Sequence, residues 1–560
     1  MTDVFHQIYN PVGGSVLFSA LVASVPPLLL ALLLAVLRVA PWRAAVAAAV
    51  TAATLAWLVW GMPLSLTIAA ATHGMAFGLW PISWIVVSAV FFYNLSVESG
   101  DFDVIRRSLS RLTGDRRVQL LLVAFCFGAL IEGIAGFGAP VAITASMLAG
   151  LGFEPIMAAS LALIANTAPV AFGSLGIPVT TLGGLLAPML GHDTQTTTRA
   201  LSAMVGRQLP IFSLAIPAYL VILYAGWRRM VEVWPAVLVA GATFAIGQFT
   251  VSNFVGPELT DALSALISLT SVALLLRVWQ PAEVVAATVA APVAVPTGGG
   301  TIVEERAAEP LTARRALLAF APYLVVVVLF TLASFGPLKV FLDAHSGWKF
   351  AWPGLEVLGS AGKPVSATTF TLNIFTAGGT VLLVSGLVTA AIYRLRPRRV
   401  ARAFVDVVVQ FRWTILTVVL VLALAYVMNL SGQTVTLGLA LAATGGFFAF
   451  LSPVVGWIGV AVTGSDTSAN SLFGLLQTTA AAKTGISPYL LGAANTSGGV
   501  LGKMISPQNL AIGAAVVGMT GQESELFRKV VGWSVGLLLG MALLVFLQST
   551  PVLGWMVVAP

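Results

Sequence analysis

The chain has 560 residues, of which 58% are hydrophobic and only 9% are charged. Since a soluble domain carries roughly a quarter of charged residues, this composition excludes a soluble protein and predicts an integral membrane protein. The formal net charge of +7 fits basic loops at a membrane better than a surface for nucleic acid, and the long continuous apolar runs exclude a β-barrel.

Apolar segments follow one another along the whole chain. A membrane-spanning helix needs about 20 apolar residues, and by that rule the chain divides into about 12–14 hydrophobic segments, including two re-entrant hairpins. The first run, at about 15–37, is too long for a signal peptide and predicts a retained helix. Further helices are predicted at about 44–60, 74–97, 234–252, 257–277 and 531–548.

Clusters of arginine predict the orientation, because basic residues concentrate in cytoplasmic loops. The clusters are Arg38 with Arg43, the arginines of 98–117, Arg228 with Arg229, and the arginines of 394–402. Counting the helices between these loops places both termini outside the cell. The predicted class is therefore an all-α polytopic membrane protein.

Two halves with one linker are predicted. Residues 1–279 form the first half, 280–315 a flexible cytoplasmic linker rich in Ala, Val, Pro and Gly, and 316–560 the second half. Each half is expected to hold one of two inverted-topology repeats, built from a re-entrant hairpin and a broken helix. The predicted bounds are a hairpin at about 121–153 and a broken helix at about 155–190, then a hairpin at about 446–480 and a broken helix at about 488–519.

The repeat is visible in a short pattern. Residues 165–178 read ANTAPVAFGSLGIP and residues 494–507 read ANTSGGVLGKMISP, with five identities in fourteen aligned positions. Gly, Pro, Asn and Thr interrupt a helix, and the freed backbone groups are tolerated at membrane depth only beside protein or a water-filled cavity. Paired broken segments in two halves therefore indicate the binding site of a secondary transporter.

Three ionisable residues lie within the apolar segments: Glu132, Asp466 and Lys503. Such residues are costly in lipid and are candidates for function. Lys503 is expected to bind a substrate carboxylate, and burial favours the neutral form of an acid, so Asp466 or Glu132 is expected to bind and release the coupling proton. The alternative is that one of the two acids simply pairs with Lys503 and holds the halves together.

Other candidates for substrate binding are polar side chains and glycines beside the breaks. Glycine lets the backbone approach a ligand, and helix N-termini offer N–H donors to an anion. These candidates are Asn166, Thr167, Ser465, Asn495, Thr496, Ser497, Gly136, Gly138, Gly464 and Gly498. The Asn-Thr pairs have a second interpretation, in which they only satisfy the broken backbone. No metal site, cofactor or ATP-binding loop is predicted.

The stretches IEGIAGFGAPVAITA and LIANTAPVAFGSLGIPV, with TGSDTSANSLFGLLQ and AANTSGGVLGKMISPQNLAI, resemble the L-lactate permease family. The resemblance covers most of the chain. It implies a bacterial inner-membrane permease for L-lactate, D-lactate and glycolate, working as a proton symporter, with the ANT and GSDTSAN regions lining a central 2-hydroxy-acid site.

The two-hairpin plan is also similar, more remotely, to the ion transporter superfamily, whose members often carry Ser-Asn-Thr at the hairpin tips. Here Ala165 and Ala494 replace that serine, which favours protons over sodium. The predicted function is lactate import by proton symport. The alternatives left open are a sodium-coupled carboxylate symporter, an anion channel and an intramembrane enzyme. The oligomeric state is not predicted.

Overall fold

The computed structural model describes residues 4–98, 112–136, 138–285, 321–334, 336–359 and 368–558, with isolated positions at 104, 108, 318 and 319. The predicted linker from residue 286 to 315, and Arg106, Arg107 and Arg111, lie outside the described residues.

Helices make up almost all of the described first half. Proline at the first helical turn and a capping Asp193 are among the signals that start them. The helices are α1 Val16–Leu34, α2 Pro41–Leu58, α3 Leu64–Phe77, α4 Trp84–Glu98, α5 Arg116–Ile134, α6 Ala139–Gly150, α7 Pro155–Ala165, α8 Gly173–Leu190, α9 Thr194–Ala225, α10 Trp227–Val231, α11 Trp234–Phe254 and α12 Thr260–Val278.

The second half adds ten helices among the described residues and most of the short strands. The helices are α13 Ala321–Ser334, α14 Gly336–Ser346, α15 Gly378–Ile392, α16 Pro397–Ser431, α17 Gln433–Ala442, α18 Phe448–Thr463, α19 Asp466–Thr484, α20 Pro488–Gly502, α21 Pro507–Val516 and α22 Glu523–Gln548. The strands are β1 Phe5–His6, β2 Gly347–Ala351, β3 Val357–Leu358 and β4 Thr369–Asn373, with β1 parallel to β3 and β2 antiparallel to β4.

The all-α polytopic class is confirmed. Ten helical stretches of the described residues are long and apolar enough to cross a membrane, and five shorter apolar helices accompany them. Large apolar side chains such as Leu17, Ile246 and Leu543 are exposed on the outside of the helices. A protein that lies in lipid requires apolar side chains on its outer surface as well as in its interior.

Two antiparallel helix pairs contain the glycine-rich motifs. In the first, α5 ends at Ile134 and α6 begins at Ala139, and a Cβ at Gly128 would lie 3.1 Å from Thr144 Cγ2. In the second, α18 and α19 turn at Gly464, and a Cβ at Gly459 would lie 2.9 Å from the Cβ of Ala469. The small residues allow each pair to pack closely, so that both turns lie inside the protein.

Each pair is followed by an interrupted helix. Helix α7 ends at Ala165 and α8 begins at Gly173, while α20 ends at Gly502 and α21 begins at Pro507. Helix α20 packs so tightly on α18 that a Cβ at Gly498 would lie 2.5 Å from Pro453 Cα. The inverted relation of the two repeats, and the side from which each hairpin enters the membrane, stay predictions.

A buried cluster joins three connecting segments at one end of the molecule. Arg117 is fully buried and pairs with Asp115 at 2.7 Å and with Glu232. It also donates to the carbonyls of Arg229 at 3.0 Å and Glu283 at 2.7 Å. This Arg117 cluster brings together the start of α5, the segment between α10 and α11, and the residues after α12.

Candidate functional site

The two interrupted helices meet at one ion pair. Lys503 Nζ, just after α20, donates to Glu132 Oε1 in the last turn of α5 over 2.8 Å. The other oxygen, Glu132 Oε2, accepts from Asn166 Nδ2 at the end of α7 over 2.9 Å. The side chains of Lys503 and Glu132 are 9% and 3% exposed. Of the two acids predicted to pair with Lys503, the structure brings Glu132 to it.

A cavity of about 310 Å³ lies beside this pair. Its charged lining residues are Glu132, Asp466 and Lys503. Other polar groups in the lining are Ser174, Thr414, Thr417, Thr463, Ser465, Thr467, Ser468, Gln508 and Asn509. The predicted Gly138 and Gly464 line it too. The cavity therefore combines one cation, two acids and many hydroxyl and amide groups, which suits a small polar anion.

Helix starts surround the cavity. Helix α6 begins directly after Gly138, and α19 begins after Ser465, whose side chain accepts from the backbone N–H of Ser468. The first turn of a helix has N–H groups without intrahelical partners and carries the positive end of the helix dipole. Both starts favour negative charge in the space between them.

The backbone is strained where α8 begins. Ser174 and Leu175 have φ values of 48° and 58°, in the left-handed region that costs a non-glycine residue free energy, and Gly176 follows at 70°. Ser174 Oγ donates to the carbonyl of Ala135 over 3.1 Å. A Cβ at Gly173 would lie 2.5 Å from Glu132 Oε1, so only glycine leaves room for the carboxylate there. Such strain is typical of functional sites.

Asp466 differs from Glu132 in having no hydrogen-bond partner among the described residues. Both of its oxygens are buried and unpartnered, and the residue is 3% exposed. A buried, unpaired carboxylate is costly, so this environment favours the protonated acid. Asp466 is among the residues that line the cavity, and its carboxylate packs against Gly499 of α20.

The Asn-Thr pair of the second repeat faces away from the cavity. Asn495 Nδ2 and Thr496 Oγ1 both donate to Asn470 Oδ1, over 2.8 and 3.0 Å. Gln477 Nε2 donates to Asn495 Oδ1 over 3.1 Å, and Asn470 Nδ2 donates to the carbonyl of Pro178 over 3.1 Å. In this conformation the pair lies within the continuous helix α20 and joins it to α19, while Asn470 joins α19 to the first repeat.

Five other predicted binding residues do not line this cavity, and one of them is Asn166, whose amide donates to Glu132. The hydroxyls of Thr167 and Ser497 are buried without a partner among the described residues. Gly136 packs against Ser174, and Gly498 against Pro453. Their roles in binding stay predictions.

The mouth of the cavity contains two tryptophans that the sequence analysis did not identify. The rings of Trp42 and Trp413 stack with their centroids 5.2 Å apart, and both residues line the cavity. Arg43 lies 5.2 Å from the ring of Trp42, and Arg412 lies 5.5 Å from that of Trp413. The entrance therefore combines an aromatic pair with two cations, beside the basic turn predicted to be cytoplasmic.

A buried acid near the ion pair was also missed. Asp261, in the first turn of α12, is fully buried, and neither of its oxygens has a partner among the described residues. A Cβ at Gly133 would lie 2.8 Å from the Cβ of Asp261, so Asp261 packs directly beside the turn that carries Glu132. Its place near a predicted helix start made it resemble an ordinary capping residue.

Known proteins match this chain over nearly its full length. The profile of the family described as L-lactate permease matches residues 19–552. A glycolate permease, GlcA of Escherichia coli K12, is 42% identical over 98% of this chain and 99% of its own. An L-lactate permease of Bacillus subtilis 168 is 41% identical over the same shares.

Solved structures give a weaker likeness. The YdaH transporter of Alcanivorax borkumensis has a TM-score of 0.41 at 17% identity, over 85% of this chain and 86% of its own. MtrF of Neisseria gonorrhoeae, described as an antimetabolite efflux pump, has a TM-score of 0.45 at 14% identity, over 88% and 85%.

Proposed function

The chain belongs to the L-lactate permease family, a family of transporters and not of enzymes, and on that premise we propose that it imports lactate and glycolate by proton symport. D-lactate, which shares the carboxylate and the α-hydroxyl, is included in the proposal. The observation that carries it is the Lys503–Glu132 ion pair on the cavity wall.

The charge of the cavity selects the class of substrate. Lys503 is the one cation among the described lining residues, and it compensates one carboxylate. A second substrate carboxylate would be buried without a partner, at a cost of several kcal/mol. The site therefore suits a monocarboxylate better than a dicarboxylate. The hydroxyls of Ser465 and Thr467 are available to the α-hydroxyl, and so is Asn509 Oδ1, whereas Asn509 Nδ2 already donates to Lys503 and Ser506.

Proton coupling follows from competition for Lys503. Glu132 is paired with Lys503. When a substrate carboxylate takes Lys503, Glu132 loses its counter-charge and binds a proton, so one proton enters with one anion. Asp466, whose oxygens have no hydrogen-bond partner among the described residues, is assigned a second proton in this proposal.

The predicted orientation completes the proposal. The protein lies in the cell inner membrane with both termini outside and residues 280–315 in the cytoplasm. Supporting this, the Arg117 cluster brings three of the connecting segments to one end. The strand pair β1–β3 joins the N-terminal segment to Val357–Leu358 of the connection between α14 and α15.

Uptake into proteoliposomes tests the proposal. Labelled lactate should accumulate when the outside is more acidic than the lumen, and a protonophore should abolish the accumulation. Glycolate should displace the label, and succinate should not. Accumulation driven by a sodium gradient at constant pH would overturn proton symport in favour of the sodium-coupled alternative. Uptake that no gradient accelerates would indicate a channel.

A further inference from the structure

Asp261 lies outside the cavity but beside the coupling residue. It is fully buried on α12, while Glu132 lies on α5, and the two helices touch at Gly133. The charged groups that act on Asp261 are Glu132 and Lys503. The other helices packed against α12 near this point, α8 and α11, contain no ionisable residue. Asp261 is therefore a second acid next to the Lys503–Glu132 pair, on the side away from the substrate.

The environment requires Asp261 to be neutral while Glu132 is ionised. Neither oxygen of Asp261 accepts a hydrogen bond within the described part of the chain. The dipole of α12 stabilises an anion in the first turn by up to about 2 kcal/mol, which is less than the several kcal/mol that burial of an unpaired carboxylate costs. A second negative charge next to Glu132 adds to that cost. Asp261 thus holds a proton in this state.

The position of Asp261 in the molecule indicates from which face of the protein its proton comes. Helix α12 ends at Val278, about 25 Å from Asp261 at 1.5 Å per residue, and the chain then leads to Glu283 in the Arg117 cluster. Asp261 is therefore near the opposite face. There Glu258, in the turn before α12, is partly exposed, and Phe254 and Val255 are exposed beside it.

We propose that Asp261 is the proton-relay residue between Glu132 and the face opposite the Arg117 cluster. This rests on the proposed symport and assigns the proton its route. When substrate takes Lys503, the O–H bond of Asp261 breaks and an O–H bond forms on Glu132. The charge left on Asp261 is neutralised by a proton from a hydronium ion of the acidic solvent at the turn between α11 and α12, which leaves water. Protons thus arrive from one face, while the cavity opens beside Trp42 and Trp413.

The test compares two transport modes in proteoliposomes. Asp261→Asn keeps the shape of the neutral acid but has no proton to pass on. Uptake driven by a pH gradient should fall by roughly 100-fold. Lactate/lactate exchange at equal pH should persist, because the loaded site can change sides with Glu132 already protonated. Asp261→Glu should restore part of the driven uptake, and Glu154→Gln, an exposed acid before α7, is the matched control.

Each result decides the proposal. Normal pH-driven uptake in Asp261→Asn would overturn the relay, and so would loss of exchange in a variant that elutes from size exclusion as wild type. Should the Asn variant fail to fold, Asp261→Ser replaces it under the same criteria. Infrared spectroscopy adds a readout without transport: the band of protonated carboxyl groups in wild type at neutral pH should lose intensity in the variant. Absence of pH-driven uptake in wild type would instead refute the symport itself.

Discussion

Lys503 Nζ donates to Glu132 Oε1 over 2.8 Å, although the two residues are 371 positions apart in the chain. The bond joins the break after α20 to the last turn of α5, so one contact connects the two repeats. It also ties the sole cation in the described lining of the cavity to an acid that a substrate must replace.

Lys503→Ala should weaken lactate binding by about 1.5–3 kcal/mol, the worth of a charge-assisted hydrogen bond. Calorimetric titration of the purified protein measures this. The double variant Lys503→Ala with Glu132→Gln should be more stable to heat than Lys503→Ala alone, because it leaves no buried carboxylate without its partner. An unchanged affinity in Lys503→Ala would show that the lysine only ties the halves together.

Glu132→Gln should separate exchange from accumulation. Gln resembles the protonated acid and leaves Lys503 to the substrate, so lactate should bind more tightly and with less dependence on pH. Lactate/lactate exchange should continue while pH-driven accumulation is lost. Flux assays in both modes measure the difference. Wild-type accumulation in this variant would make Glu132 a structural residue.

Asp466→Asn is the companion experiment. If Asp466 carries a proton through the cycle, this variant should bind lactate and lose accumulation. The readout is the number of protons taken up per lactate, measured with a pH dye in the vesicle lumen. A value equal to that of wild type would restrict coupling to Glu132.

Asn470→Ala should destabilise the protein by about 1–3 kcal/mol, since Asn495 and Thr496 would lose a shared buried acceptor. Thermal unfolding in detergent measures the loss. Thr484→Ala is the control, because its hydroxyl bonds only to carbonyls of its own helix. A substrate affinity that falls while the thermal stability is unchanged would return Asn495 and Thr496 to the predicted binding role.

The Arg117 cluster predicts that the stability of the protein declines at acidic pH. Burial alone raises the pKa of Asp115, but hydrogen bonds from Arg117 and from the backbone of Val285 outweigh it, so the pKa lies below its ordinary value. Asp115 therefore contributes stability above its unfolded pKa, about 3.9, and loses it as pH falls through the lower folded value. Melting curves from pH 6 to pH 3 should show the decline, and Asp115→Asn should flatten it.

Trp42→Ala should open the cavity mouth. In the variant Ser465→Cys, the introduced thiol should react faster with a charged methanethiosulfonate when Trp42→Ala removes the stacked indole pair. Trp57→Ala, an exposed tryptophan of the same helix, should leave the rate unchanged. The native Cys126 is buried and does not compete in the assay. Equal rates in all three proteins would exclude a gating role for the pair.

Local chemistry made part of the site predictable. Clusters of Gly, Pro and Asn indicate helix breaks, and an acid or a lysine among apolar residues is visible without knowledge of its neighbours. Glu132, Asp466, Lys503, Ser465, Gly138 and Gly464 were identified in this way, and the structure places them around one cavity.

The rest depended on packing over long sequence distances. Asn495 turns to Asn470 because α20 lies against α19, and nothing in the ANT pattern specifies that face. Trp42 and Trp413 meet only because α2 packs on α16. Asp261 was hidden by its place near a helix start, where an acid is usual. The burial of Asp261 on α12 distinguishes a proton-relay residue from a helix cap, and that burial depends on tertiary packing.

The first residues of the chain contact partners that are made much later. Phe5 pairs with Val357, the Gln7 amide donates to the carbonyls of Asn429 and Leu430, and Thr436 donates to the Tyr9 carbonyl. At about 5–20 residues per second, the ribosome makes these partners roughly 20–90 s after the N-terminal segment leaves it. Until then the N-terminal segment stays without these partners on its side of the membrane. If the two halves were expressed as separate chains, the first half would therefore need its first ten residues in order to bind the second half.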